Sequence, residues 1–78
     1  MYYKFDEYHE HYGTLFIRPN PDNPNIYNLL IDNKIIGKYL SPNEAAIAVA
    51  ERKTGEPTWD NSTTPNNPSD LNEWTHVK

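Results

Sequence analysis

The chain has 78 residues, no cysteine and a net charge of −4, with seven Lys and Arg against eleven Asp and Glu. The lack of cysteine excludes disulfide bonds and cysteine-ligated zinc, and no apolar run approaches the roughly 20 residues of a membrane-spanning helix. The length predicts one small domain over residues 1–78, and the absence of an apolar signal-peptide core favours a cytoplasmic protein.

Residues 1–12, MYYKFDEYHEHY, form a segment rich in tyrosine and histidine. Four tyrosines in twelve residues exceed what so small a core needs, and tyrosine loses little entropy on binding. This surplus predicts a protein-contact surface or a homodimer seam. The alternative is that the rings cover a shallow core whose rim stays wet. The candidate contact tyrosines are Tyr2, Tyr3, Tyr8 and Tyr12.

The same segment contains His9 and His11, with Glu7 two positions earlier. Alternate residues of a strand point to one side, so these three side chains could hold zinc or nickel. A histidine pair at this spacing is common by chance, however, and catalysis needs a shaped, dry pocket with supporting residues. Solvent-facing side chains are therefore favoured over a metal site, and no cofactor is expected.

Three strands are predicted next, over 13–18, 26–32 and 34–40, with a proline- and asparagine-rich loop at 19–25. Asp32-Asn33 indicates a hairpin. A two-residue turn would place lysines and isoleucines on the same face of the hairpin, whereas a three-residue turn would leave one face without lysines. Burial of a uniform face favours the three-residue turn. That face would then carry Tyr27, Leu29, Ile31, Ile35, Gly37 and Tyr39.

The segment 42–54 has the clearest local pattern and predicts a helix. Ser41 is placed to cap its N-terminus, Pro42 suits the first helical position, and Glu44 completes a capping box. Gly55 is expected to end the helix in a left-handed conformation.

Residues 56–70 lack periodicity and predict an extended arm or linker, followed by a short helical turn within 69–74. Trp59 and Trp74 flank this arm and are expected to pack it against the domain. The alternative is that they are exposed anchors for a partner protein. The predicted fold is therefore α+β, with a three-stranded antiparallel sheet packed by one helix and followed by the arm.

The pattern G-x-Y-x-S-P-x-E-A-A from Gly37, followed by T-G, W-D and D-L-x-E-W, resembles a group of small hypothetical proteins. These belong to bacteria, phages and other mobile elements, and the resemblance covers roughly residues 26–74. It implies a folded unit that includes the arm and brings no catalytic residue with it. Residues 1–12 depart from the group pattern.

The order of three strands and one helix also looks like plant ethylene-response-type DNA-binding domains and integrase arm-binding domains. Those domains bind DNA with basic and aromatic residues on the exposed face of the sheet. The corresponding candidates here are Arg18, Lys34 and Lys38. Fold likeness does not transfer function, and the net negative charge opposes phosphate binding.

Catalytic patterns are not found in the sequence. There is no cysteine nucleophile or Gly-rich phosphate loop, and Ser41 is explained by capping. The leading hypothesis is a non-enzymatic protein-interaction module, of the kind that a phage or mobile element uses to bind or inhibit a host protein. Nucleic-acid binding through the sheet and metal binding through the histidines are the alternatives.

Overall fold

Five antiparallel strands and one main helix make up most of the computed structural model, which describes residues 1–5, 13–61 and 68–78. The strands are β1 (Tyr2–Phe5), β2 (Leu15–Pro19), β3 (Tyr27–Ile31), β4 (Lys34–Tyr39) and β5 (Thr75–Val77). The sheet has the order β4-β3-β2-β1-β5, and helix α1 (Pro42–Glu51) packs on one of its faces. No helix in the described ranges is both long and apolar enough to cross a membrane.

The α+β class and the three predicted strands are confirmed, but a sheet of three strands is wrong. Two further strands, β1 and β5, extend it on the side of β2. Strand β5 has only three residues, which are too few for an alternation of apolar and polar side chains to predict a strand from the sequence. It pairs with β1 from the other end of the chain, with Tyr2 opposite Val77 and Lys4 opposite Thr75.

Helix α1 spans Pro42–Glu51 and begins as its capping residues predict. The Ser41 hydroxyl accepts the Glu44 N–H at 3.1 Å, and the Glu44 carboxylate accepts the Leu40 N–H at 3.1 Å. These bonds satisfy amide donors that the first turn of a helix leaves without partners. Leu40 is thereby held next to the helix N-terminus.

The predicted helix end at Gly55 is wrong, because α1 ends three residues before residue 54. Arg52 adopts the left-handed conformation (φ 57°), and its N–H bonds to the Val49 carbonyl at 3.1 Å. Its guanidinium lies 5.4 Å from the Trp59 ring centroid and donates to the Trp59 carbonyl at 3.4 Å. Packing against Trp59 therefore favours the early helix end at Arg52.

The hydrophobic core lies between the sheet and α1. Small residues on the inner side of α1 let the helix approach the strands closely. Both indoles close the core, with Trp59 0% and Trp74 5% exposed, and Trp59 Nε1 donates to the Val49 carbonyl at 3.1 Å. The core residues are Phe5, Leu15, Ile17, Leu29, Ala45, Ala46, Val49, Trp59 and Trp74.

The segment after α1 is not simply extended. A one-turn helix, α2 (Pro57–Asp60), brings the Asp60 carboxylate back to the preceding loop. That carboxylate accepts the Thr54 hydroxyl at 2.7 Å, the Thr54 N–H at 3.0 Å and the Gly55 N–H at 2.9 Å. We call this arrangement of Thr54, Gly55 and Asp60 the Asp60 clasp. Since α2 carries Trp59, the clasp helps to hold that indole in the core.

The predicted C-terminal helical turn is a short 3₁₀ helix at Leu71–Glu73, placed directly before β5. Asp70 is its cap, because its carboxylate accepts the Asn72 N–H at 2.9 Å. Ser69 does not cap this helix; it donates both its N–H and its hydroxyl to the Glu73 carboxylate. These local bonds set the direction in which the chain enters β5 and place Trp74 against the core.

The turn between β3 and β4 has two residues, so the prediction of a three-residue turn is wrong. Ile31 pairs with Lys34 and Leu30 with Ile35, after which a bulge restores the expected pairs Leu29 with Gly37 and Tyr27 with Tyr39. The bulge adds one residue to β4, so the alternation of its side chains between the two faces of the sheet shifts by one position at the bulge. Ile35 is therefore 49% exposed.

Asp32 connects this turn to the start of β2. It adopts a positive φ of 53°, its N–H donates to the Thr14 carbonyl at 2.8 Å, and its carboxylate accepts the Thr14 N–H at 3.0 Å. These two bonds favour the short turn over the three-residue turn that side-chain patterning predicts.

Candidate interaction surface

The sheet has a buried face under α1 and an open face on which none of the described helices packs. Direct cross-strand partners lie on the same face of a sheet and alternate residues on opposite faces, so the register assigns each strand residue. We call the second surface the open face. It consists of Tyr2, Lys4, Phe16, Arg18, Asn28, Leu30, Ile35, Lys38, Thr75 and Val77.

An apolar stripe crosses the open face. Phe16, Leu30 and Ile35 are successive partners across β2, β3 and β4. An antiparallel sheet with one solvated face normally carries polar side chains there. Contiguous exposed apolar surface in a folded protein is often a binding site. The stripe is therefore the feature of the open face that most needs a functional explanation.

A cation lies over the aromatic side chains next to this stripe. The Arg18 guanidinium carbon is 4.5 Å from the ring centroids of both Tyr2 and Phe16, which are themselves 6.0 Å apart. Stacking on aromatic faces orients the guanidinium plane while leaving its N–H groups able to form a fork for a carboxylate or phosphate. Arg18 is thus a fixed, exposed cation in the middle of an apolar surface.

The charges carried by the strands are all positive. None of the five strands contains Asp or Glu, whereas Lys4, Arg18 and Lys38 lie on the open face. The described acids lie in turns, loops and helices. The strand residues of the open face therefore carry only positive charge, which the net charge of −4 does not indicate.

Lys34 does not lie on the open face, so its predicted position on the exposed side of the sheet is wrong. It is the cross-strand partner of Ile31, which packs against the core, and its ammonium group forms a 3.1 Å salt bridge with Glu56. The two-residue turn moves it to the helix side. Arg18 and Lys38 keep their predicted position, and Lys4 is a cation of this face that the sequence did not reveal.

The candidate aromatic residues have different locations. Tyr2 lies on the open face, whereas Tyr3 lies on the opposite face, where its ring stacks on His76 with a centroid distance of 4.6 Å. Trp59 and Trp74 are buried, so neither can be an exposed anchor in this fold. Tyr8 and Tyr12 lie outside the described residues.

The proposed metal ligands His9, His11 and Glu7 also lie outside the described residues, so their arrangement stays a prediction. Within residues 1–5, 13–61 and 68–78, no group of three or more His, Asp or Glu side chains is placed to hold a metal ion.

A second surface feature is a groove between the end of β4 and α1, with a volume of about 390 Å³. Tyr39 forms part of its wall, and burial together with the nearby Asp60 charge raises the pKa of the Tyr39 hydroxyl. We call this feature the β4–α1 groove. Its lining residues are Lys38, Tyr39, Leu40, Glu44, Ile47, Ala48, Glu51 and Lys53.

No protein-family model, curated protein or solved structure matches this chain. Its function therefore has to be inferred from its own surfaces.

The residues that carry the resemblance to small bacterial and phage proteins have structural roles here. Thr54, Gly55 and Asp60 form the clasp, and Trp59 and Trp74 belong to the core. A side chain at position 37 would meet the Tyr39 ring at 2.9 Å, so the ring would have to shift to admit it.

Proposed function

We propose that the protein is a non-enzymatic interaction module whose open face binds an acidic surface of another protein. The observation that supports this proposal is the apolar stripe of Phe16, Leu30 and Ile35 on a face whose charged strand residues are all cations. Desolvated aromatic and Arg side chains at the centre of an interface contribute much of its binding energy. Arg18 lies over the rings of Tyr2 and Phe16, so an Arg side chain and aromatic side chains occur together at one place on this face.

The charges on this face favour a different protein over a second copy of the chain. If two open faces met, Lys4, Arg18 and Lys38 would be brought toward the same cations of the other copy. Like charges brought together across an interface cost several kcal/mol. A partner that offers carboxylates beside apolar side chains would instead pair with the guanidinium fork of Arg18. The resemblance adds the proposal that such a partner is a host protein of a phage or mobile element.

Affinity capture from a lysate of the source cell tests this proposal, provided that matched variants are used and the lysate is treated with nuclease. We expect a protein partner that survives nuclease and is reduced about tenfold or more by Arg18→Glu or Ile35→Glu. The control is Ile47→Glu, because Ile47 is 50% exposed, as Ile35 is 49%, but lies on α1. A partner equally retained by all three variants would contradict binding through the open face.

A second candidate function is binding of single-stranded nucleic acid by the same face. The observation in its favour is that the strand residues of this face include cations and the aromatic rings of Tyr2 and Phe16 but no acid. Fluorescence anisotropy with a labelled single strand, measured over a salt series, tests it. If Lys4, Arg18 and Lys38 each contacted one phosphate, the logarithmic salt slope would be about −2. Absence of any salt-sensitive binding would exclude this candidate.

A further inference from the structure

The β4–α1 groove combines a shallow, open concavity with exposed apolar side chains. It combines a concave region of about 390 Å³ with a protruding side chain, Leu40, which is 74% exposed at one edge. Ile47, 50% exposed, lies on the α1 side of the groove. Apart from Met1 and the open-face residue Ile35, these two are the large exposed hydrophobic residues of the described ranges.

The charges of the groove differ from those of the open face, because both signs occur on one surface. Lys38 and Lys53 line it together with Glu44 and Glu51. A twofold interface uses the same patch on both subunits, so each feature must find its complement within that patch. A surface with cations and carboxylates side by side meets this condition, whereas a surface with cations alone does not.

The exposed side of α1 carries an apolar side chain between two carboxylates. Glu44, Ile47 and Glu51 follow the spacing i, i+3, i+7, which places them along one side of the helix. Ile47 is 50% exposed at the middle of this row, whereas Ala48 beside it is buried.

We infer that two copies of this chain associate through the β4–α1 groove. Leu40 of each copy enters the groove of the other, Ile47 lies near the twofold axis, and Lys38 and Lys53 face glutamates across the interface. The groove is lined by eight residues, compared with about 20–30 per partner in a standard interface. The dimer is therefore weak and forms in a concentration-dependent way. The groove shares Lys38 with the open face but none of the apolar stripe or Arg18, so the inference does not depend on the proposed function.

Sedimentation velocity of the full chain, from low-micromolar to near-millimolar concentration, tests this inference. The weight-average mass should rise with concentration from 9.1 kDa towards twice that value. Leu40→Glu and Ile47→Glu should each weaken association about tenfold or more, because they place a carboxylate in the apolar part of the interface. Ile35→Glu is the matched control, since Ile35 has nearly the same exposure as Ile47 but lies on the open face.

A mass of 9.1 kDa at every concentration would overturn the inference, and so would a dimer that is unaffected by both groove variants. A dimer lost in Ile35→Glu alone would assign the contact to the open face instead. Thermal unfolding of each variant shows that it remains folded. If a glutamate variant does not fold, Ile47→Ser makes the smaller change and should still weaken the dimer.

Discussion

The two faces of the sheet are built from the same strands but use their side chains differently. Under α1, Ile17 and Leu29 are completely buried, as is Trp59, which packs with them in the core. On the open face, the neighbouring residues Phe16 and Leu30 are only half-buried, and Arg18 stacks over Phe16. One face therefore supplies most of the stability, while the other retains apolar area that a partner can still bury. Substitutions on the two faces should separate folding from binding.

The largest effect is expected at Trp59, which is 0% exposed. Trp59→Ala should lower the free energy of unfolding by about 3–5 kcal/mol, because it leaves a large cavity. That is similar to the whole stability of a domain of this size, so the variant should be largely unfolded by circular dichroism. Trp59→Phe keeps most of the ring and should fold. A Trp59→Ala protein with the wild-type urea midpoint would contradict the buried role of this indole.

Adjacent leucines in β3 provide the most direct comparison of the two faces. Leu29 is fully buried, whereas Leu30 lies in the apolar stripe of the open face. Leu29→Ala should cost about 2–5 kcal/mol in urea unfolding, and Leu30→Ala should cost about 1 kcal/mol or less, since part of its surface is already in water. Equal costs would mean that the open face is packed as tightly as the core.

An intermediate effect is expected at the Asp60 clasp. Burial alone would raise the pKa of Asp60, but hydrogen bonds from Thr54 and Gly55 and the charge of Arg52 together lower it. A lowered folded-state pKa stabilises the protein above the unfolded-state pKa, about 3.9, and this contribution disappears as pH falls through the folded-state pKa. Asp60→Asn should cost about 1–2 kcal/mol at neutral pH.

The pH dependence gives the control for the clasp. Urea unfolding of the wild type should weaken more steeply than that of Asp60→Asn as the pH falls from about 5 to 2. Asp22→Asn, in the loop between β2 and β3, is the matched substitution of an Asp that lies outside the clasp. Parallel curves for the wild type and Asp60→Asn would show that the clasp does not contribute through its charge.

The smallest effect on stability is expected at Arg18. An exposed cation–π contact contributes about 0.5–1 kcal/mol, so Arg18→Ala should shift the unfolding midpoint only slightly. The same variant should lose capture of the proposed partner, and Arg18→Lys should restore it only in part, because lysine lacks the planar fork. A large loss of stability in Arg18→Ala would instead show that Arg18 contributes mainly to the stability of the fold.

Local patterns predicted the elements whose determinants are close in sequence. The Ser41–Glu44 capping pair marked the start of α1, and apolar runs marked β2, β3 and β4. The end of α1 at Arg52 depends on Trp59, which no local pattern connects to it. Likewise, β5 exists because β1 offers it an edge, and its residues are separated from β1 by nearly the whole chain.

The candidate site was predictable only in part for the same reason. The alternation of Leu15, Phe16, Ile17 and Arg18 is visible in the sequence and already assigns Phe16 and Arg18 to one face. The positions of Lys34 and Ile35 depend on the two-residue turn, which the Asp32–Thr14 hydrogen bonds favour, and on the bulge in β4 that restores the register beyond it. Burial of both tryptophans likewise required the tertiary structure.

The bulge in β4 has a consequence for aggregation. Strand β4 is an edge of the sheet, and an exposed edge can recruit further strands without limit. Here the extra residue interrupts the regular hydrogen-bonding pattern in the middle of the strand, and Lys34 and Lys38 place charges near its ends. Copies that meet beside β4 are thus hindered from adding strand to strand. They can form a closed pair without seeding a growing fibril.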